Sequence, residues 1–204
     1  MRQKKEKRTG NYEIMAEDNR RRFLTYDQEA IIRKFDLDAD KESIRFHLLG
    51  MPAVLDRASG KLTVNGEPAS INASMGTYDM LAYSKTRPAL SGEWVSLEKI
   101  GGIIATGHVQ NLQNKGTYDK FAGRTVELRK ACEDLGGKPG GAGDVCYILP
   151  LFDWFPICFR FYDADEDFPA SVTWLWDANS TDFLHYECMW YLMGFVEEEL
   201  EKRI

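Results

Sequence analysis

Residues 144–177 read DVCYILPLFDWFPICFRFYDADEDFPASVTWLWD, and this stretch decides the fold. Its runs 145–151, 157–162 and 172–176 are rich in β-branched and aromatic residues, which suit a pleated, half-buried surface. Pro150 and Pro156 lack the N–H that a ladder needs and should limit pairing at the strand ends. In the second run Ile157, Phe159 and Phe161 share one face, and Cys158, Arg160 and Tyr162 share the other. Val172, Trp174 and Trp176 alternate in the same way with Thr173, Leu175 and Asp177. Burying each large side chain contributes about 1.5–3 kcal/mol. The economical arrangement is a three-stranded antiparallel meander, with the acidic loop Asp163-Ala164-Asp165-Glu166-Asp167 joining two of its strands.

Outward from this core the chain alternates helical and extended patterns. Residues 11–24 suit a polar helix. A second helix should start near Asp27, which can cap it, and end by Asp36. The spacing Asp36, Asp38, Asp40 resembles a calcium loop superficially, but Lys41 replaces the required Gly and Leu48 stands where the closing Glu belongs. Residues 43–50 and 51–56 look extended. A further strand over 61–65 closes at Asn65-Gly66 and completes a hairpin layout. His47 falls in the first of these strands as a sheet histidine. Ile71, Met75, Tyr78, Leu81 and Ala82 mark a helix over 70–84. A short strand at Gly92-Glu93-Trp94-Val95 and a helical turn at Ser96-Leu97-Glu98 lead to Gly101-Gly102, then to a loop carrying His108. The clearest amphipathic pattern predicts one helix over 117–135, capped by Thr117 and stopped by Gly136-Gly137. The glycines that follow it do not make a phosphate cradle, since a helix precedes them and a strand comes after. The last helix is expected over 182–203, with Phe183, Leu184, Trp190, Tyr191, Gly194 and Phe195 on its apolar arc. The fold class is therefore α+β: a mostly antiparallel sheet with helices packed against it and the C-terminal helix largely buried. Residues 1–10 form a disordered basic arm, and 11–204 form a single domain.

Bulk properties narrow the function classes. The chain has 204 residues, 44% of them hydrophobic, and a net charge of −6. A domain of this length buries about 70% of its unfolded surface, so its core needs no metal or disulfide staple. The acidic balance disfavours a nucleic-acid partner. No apolar run approaches the length of a membrane span, and no apolar segment follows the N-terminal charges, so a cytoplasmic location is expected. Cys132, Cys146, Cys158 and Cys188 include no C-x-x-C pair and read as reduced, buried thiols. Haem, Rossmann dinucleotide and iron–sulfur signatures are lacking; a divalent metal is the one cofactor the residues leave open.

Candidate chemistry is confined to a few places. Asp163, Asp165, Glu166 and Asp167 put four carboxylates in five positions. Their mutual repulsion raises some of their pKa values unless a cation or hydrogen bonds intervene, which makes them candidate metal ligands. Arg160 is a local counter-charge. Glu187 falls in the middle of the last helix's expected apolar arc and there needs a partner. Glu187, His108 and His185 are the catalytic candidates, and Arg160, Trp174, Trp176 and Trp190 the ligand-binding ones. The leading reading is a small-ligand or cofactor binding or accessory module, its pocket lined by Trp154, Trp174, Trp176 or Trp190. The alternatives are a carboxylate-based, metal-dependent hydrolase, which needs Glu187 and the acidic loop to converge, and a protein-interaction subunit.

Ordered short motifs also carry a resemblance. Gly92-Glu93-Trp94-Val95-Ser96, Leu135-Gly136-Gly137, Gly143-Asp144 and the proline-bearing strand pair come first. Asp165-Glu166-Asp167-Phe168-Pro169-Ala170-Ser171, Leu175-Trp176-Asp177 and Phe183-Leu184-His185-Tyr186-Glu187 follow. Across about 11–195 the chain resembles a bacterial and archaeal family known as domain of unknown function 3786, common in anaerobes. Some relatives resemble this domain fused to cysteine-rich iron–sulfur modules, whose cysteines this chain lacks. The resemblance implies a cytoplasmic protein of an anaerobe and draws attention to 165–169. It implies no activity.

Overall fold

The computed structural model describes residues 10–101 and 117–204. The basic arm, apart from Gly10, lies outside the described residues, as do Gly102 and His108.

Among the described residues, ten strands form one antiparallel sheet. The meander is present: β8 (Val145–Phe152), β9 (Phe155–Tyr162) and β10 (Ser171–Asp177) pair in sequence order. Both prolines sit inside strands rather than at their ends. The register slips between Leu149 and Phe152, so a bulge absorbs Pro150 opposite Pro156. Ile157, Phe159 and Phe161 are fully buried, whereas Tyr162 on the opposite face is exposed. Phe121 meets Phe159 and Phe161 edge-on, at 6.3 and 6.2 Å between ring centroids.

The N-terminal strands build the other half of the sheet. They are β1 (Asp38–Ala39), β2 (Ser43–Leu48), β3 (Met51–Asp56), β4 (Leu62–Val64) and β5 (Glu67–Pro68). Two tight turns set their register. Asn65-Gly66 has φ of 52° and 82°, the mirror-image turn that Asn-Gly favours between paired strands. Leu49-Gly50 does the same between β2 and β3 with φ of 49° and 69°, although Leu49 is fully buried. A leucine at positive φ is strained, and burial of its side chain offsets that cost.

The two halves meet where Leu48 of β2 pairs with Phe152 of β8. Elsewhere β1 pairs with β2, and the short β7 (Lys138–Pro139) pairs with β8. At the far edge β6 (Trp94–Ser96) closes on β10. The order is β5-β4-β3-β2-β8-β9-β10-β6. Asp153, in the β8–β9 turn, fastens the junction: its carboxylate accepts the His47 N–H at 2.8 Å and lies 3.0 Å from His47 Nδ1.

Helices cover this sheet. α1 (Asn11–Phe23) and α2 (Gln28–Phe35) lie where the sequence places them, and Asp27 caps α2 by accepting the Ala30 N–H. α3 (Ile71–Tyr83) is capped by Ser70, and α4 (Leu97–Gly101) follows β6 directly. The helix expected over 117–135 is broken. Asp119–Phe121 forms one 3-10 turn, Gly123 turns left-handed with φ 70°, and α5 spans only Thr125–Asp134. The Gly123 N–H is taken by the Asp163 carboxylate at 2.9 Å, so a tertiary contact outcompetes continuation of the helix. The expected buried side chains Tyr118, Phe121, Leu128, Cys132 and Leu135 are all buried nonetheless. Gly136 and Gly137 end α5 as expected, donating to Glu133 and Cys132 carbonyls.

α6 (Tyr186–Glu201) starts later than the sequence pattern suggests. Ser180–Asp182 makes a 3-10 turn, and His185 is extended at the helix boundary. Phe183 and Leu184 therefore stand outside the helix, and the arc drawn through them is out of phase. The face that α6 buries carries Met189, Leu192, Met193, Phe195, Val196, Glu199 and Leu200. Glu187 is exposed. The buried carboxylate is Glu199, paired with Arg203 at 2.7 Å and with Lys202. The fold is α+β, with antiparallel strands and a largely buried C-terminal helix.

Candidate functional site

α3 and α6 run side by side at unusually close range because glycine faces a side chain in both directions. A Cβ on Gly76 would stand 2.3 Å from Leu192 Cδ2, and one on Gly194 would stand 2.7 Å from Asn72 Nδ2. α1 lies across the start of α3, held by Phe23 against Tyr78 and by an Asn19 Nδ2 contact to Met75 Sδ at 3.1 Å. Between the three helices a groove of about 860 Å³ remains. Tyr12 and Ile71 form one wall; Trp190, Tyr191 and Gly194 form the other; Asn72, Tyr186, Glu187 and Glu198 complete it.

The polar groups of the groove are few and fixed. Asn72 Nδ2 donates to Glu198 Oε1 at 2.6 Å. Glu198 Oε2 is buried and has no hydrogen-bond partner among the described residues. The Tyr186 and Trp190 rings stand perpendicular, 6.3 Å apart at 83°, and make a corner. Burial raises the Tyr186 and Tyr191 phenols above their ordinary range, so both are neutral donors. A concave, mostly apolar surface with a few convergent polar atoms is the usual form of a small-molecule site.

Of the residues singled out from the sequence, Trp190 and Glu187 line this groove. Trp174 and Trp176 are core residues, 6% and 0% exposed, and Trp174 Nε1 donates to the Tyr118 hydroxyl at 3.3 Å. Trp154 stacks on Phe35 and Phe152 beside the β2–β8 junction, where it lines a smaller cleft with His47 and Asp153. Arg160 lies on β9 against Cys146, and its Nε is buried without a hydrogen-bond partner among the described residues. The Cys146 and Cys158 sulfurs are 3.8 Å apart. Burial, then the charge of Cys146, pushes the Cys158 thiol up to about 12.

Two of the acidic loop's four carboxylates accept backbone N–H groups. Asp165 accepts from the Asp167 and Phe168 amides, and Asp163 accepts from Ala164 and Gly123. Among the described residues, no group of three or more His, Cys, Asp and Glu side chains is placed to hold a metal ion. His185 pairs instead with Asp79 of α3, whose carboxylate accepts the His185 backbone N–H and lies 2.7 Å from Nδ1. The His185 ring lies against Tyr83. Cys188 is nearby, its thiol raised by burial and then by the Asp79 charge, so it is held protonated.

Tyr12, Ile71, Asn72 and Glu198 were not singled out by sequence. Within α6 a signal existed: Glu187, Trp190, Tyr191, Gly194 and Glu198 recur at helical spacing, opposite the stripe that the core takes. The contribution of α1 and α3 depends on tertiary packing.

Fold and groove together define an antiparallel α+β domain with an aromatic cleft between three of its helices. The family model for the domain of unknown function DUF3786 matches residues 27–198, and the chain belongs to that family. Neither the curated proteins nor the solved structures include a match to it. None of the described helices is long and apolar enough to cross a membrane.

Proposed function

We propose that this protein is a small-ligand binding or accessory module and that its ligand sits in the groove between α1, α3 and α6. The observation that carries the reading is the groove itself. Its volume lies within the usual 300–1,000 Å³ range of small-molecule sites, and its lining carries four aromatic rings and a carboxylate with one buried oxygen. Four cysteines free of disulfides fit a reducing, cytoplasmic setting. The test is a thermal-shift screen of the full chain against a metabolite library. A ligand at 100 times its dissociation constant adds about 2.7 kcal/mol of stability. Binders should move the indole resonance of Trp190 and lose affinity on Tyr12→Ala, a change at an exposed rim position. Binders that ignore both would place the site elsewhere, and a library without binders would overturn the reading.

A further inference from the structure

We infer that the groove takes an organic cation, a primary to quaternary ammonium group on an apolar body. The inference rests on the reading of the groove as a ligand site and names what that site selects.

Three features point the same way. The first is charge: among the described residues of the lining, Glu187 and Glu198 are the carboxyl groups and there is no Lys, Arg or His. An anion entering there would meet two uncompensated carboxylates, which is unfavourable at short range in a partly desolvated cleft. The second is Glu198. One of its oxygens is held by Asn72 at 2.6 Å, while the other is buried with no hydrogen-bond partner among the described residues. A carboxylate oxygen removed from water and left without a donor is costly, and the positive charge of an ammonium bound beside it offsets that cost through space. A neutral apolar ligand would fill the cleft but leave it in place.

The third feature is the rings. Tyr186 and Trp190 meet at 83° and form a corner of the lining, and the electron-rich face of such a ring is the side that attracts a cation. Tyr12 and Tyr191 add two more rings to the same lining. Aromatic walls around a cation are the arrangement that recognises ammonium groups, including quaternary ones that cannot donate a hydrogen bond. Asn72 fixes the Glu198 carboxylate at the end of the groove, so ring corner and counter-charge are set in place before a ligand arrives.

The experiment titrates the full-length protein with benzyltrimethylammonium, choline and 3,3-dimethyl-1-butanol, following the Trp190 indole resonance. The alcohol is choline with carbon in place of the charged nitrogen. We expect both cations to bind, with choline at least about tenfold tighter than the alcohol. Glu198→Gln keeps an acceptor for Asn72 and should weaken both cations by about tenfold, with the alcohol unchanged. Glu187→Gln is an exposed change that cannot unfold the core and should weaken them by a smaller factor, in step with added salt. Equal affinity for choline and its neutral isostere, or cation affinity indifferent to both substitutions, would overturn the cation assignment while leaving a ligand groove. Failure of either cation to bind, with an uncharged or anionic binder found in the library screen, would overturn it in the same way. No binder of any class would overturn both readings.

Discussion

Asp177 ends β10 and is 4% exposed, yet it is a carboxylate. Its oxygens accept from the Ser91 amide at 2.9 Å, the Ser91 hydroxyl at 3.0 Å, the Gly92 amide at 2.8 Å and the Asn179 amide at 2.8 Å. Burial pushes its pKa up, but the Ser91, Asn179 and Gly92 donors outweigh burial and the net shift is downward. A lowered folded pKa means stability that is fully present above the unfolded value of about 3.9 and is lost as pH falls through the folded one. Asp177→Asn should cost about 3 kcal/mol at neutral pH, because one acceptor oxygen becomes a donor facing amides. The gap between variant and wild type should narrow below about pH 4. Urea unfolding at several pH values checks this; a pH-independent gap would remove the carboxylate's charge from the account. The sequence placed Asp177 on the correct strand but held no sign of its partners Ser91 and Gly92, which lie far back in the chain. Glu187 and Glu199 teach the complementary lesson. A buried carboxylate on the last helix was legible, but its position was misplaced because Phe183 and Leu184, which precede the helix, were counted into the arc.

At the scale of elements, local propensity and packing compete openly at Gly76. Alanine in place of a helical glycine should gain up to about 1 kcal/mol from backbone entropy alone. Here the new Cβ would lie 2.3 Å from Leu192 Cδ2 and 2.4 Å from its Cγ. Moving Cγ takes a χ1 change of the fully buried Leu192, which its packed surroundings oppose, so either that side chain is forced off its place or the helices part. Overpacking of this kind costs about 1–3 kcal/mol, so Gly76→Ala should be net destabilising by about 1 kcal/mol. Thermal unfolding decides it, and a stabilised variant would mean that the helices are not held so close. The same spacing shapes the groove, because Gly194 faces Asn72 in the same helix pair. Periodicity found these helices, and found the hydrophobic face of 117–135. It could not find the break at Gly123, because the competing acceptor is Asp163, supplied by a loop distant in sequence. Helix ends decided by tertiary hydrogen bonds are not written in the segment that ends.

At the scale of the molecule, the sheet is two antiparallel halves that share little ladder. The meander and the N-terminal hairpins were legible because their strands follow one another closely in sequence, with Asn65-Gly66 and the acidic loop marking connections between them. Their mutual order was not, since the joining strands β2 and β8 are separated by half the chain and meet at Leu48 and Phe152. One further backbone bond, from the Leu49 N–H to the Leu151 carbonyl at 3.3 Å, supports that pairing. Asp153 extends it by receiving the His47 N–H through a side chain where the ladder supplies no carbonyl. The aromatic stack of Phe35, Trp154 and Phe152 packs beside the same junction. Because the Asp153 carboxylate is half exposed, its bond to His47 is worth only about 1 kcal/mol in global stability. Its local effect should be larger. Asp153→Ala leaves the His47 amide without its acceptor, so that amide should exchange with solvent markedly faster. Amides between β9 and β10, held by five paired positions, should slow or quicken only with the global change. Hydrogen exchange followed residue by residue separates the two. If His47 keeps its protection in the variant, the halves are joined by burial around Trp154 rather than by the Asp153 clasp. Trp154→Leu should then be the substitution that loosens β2 from β8.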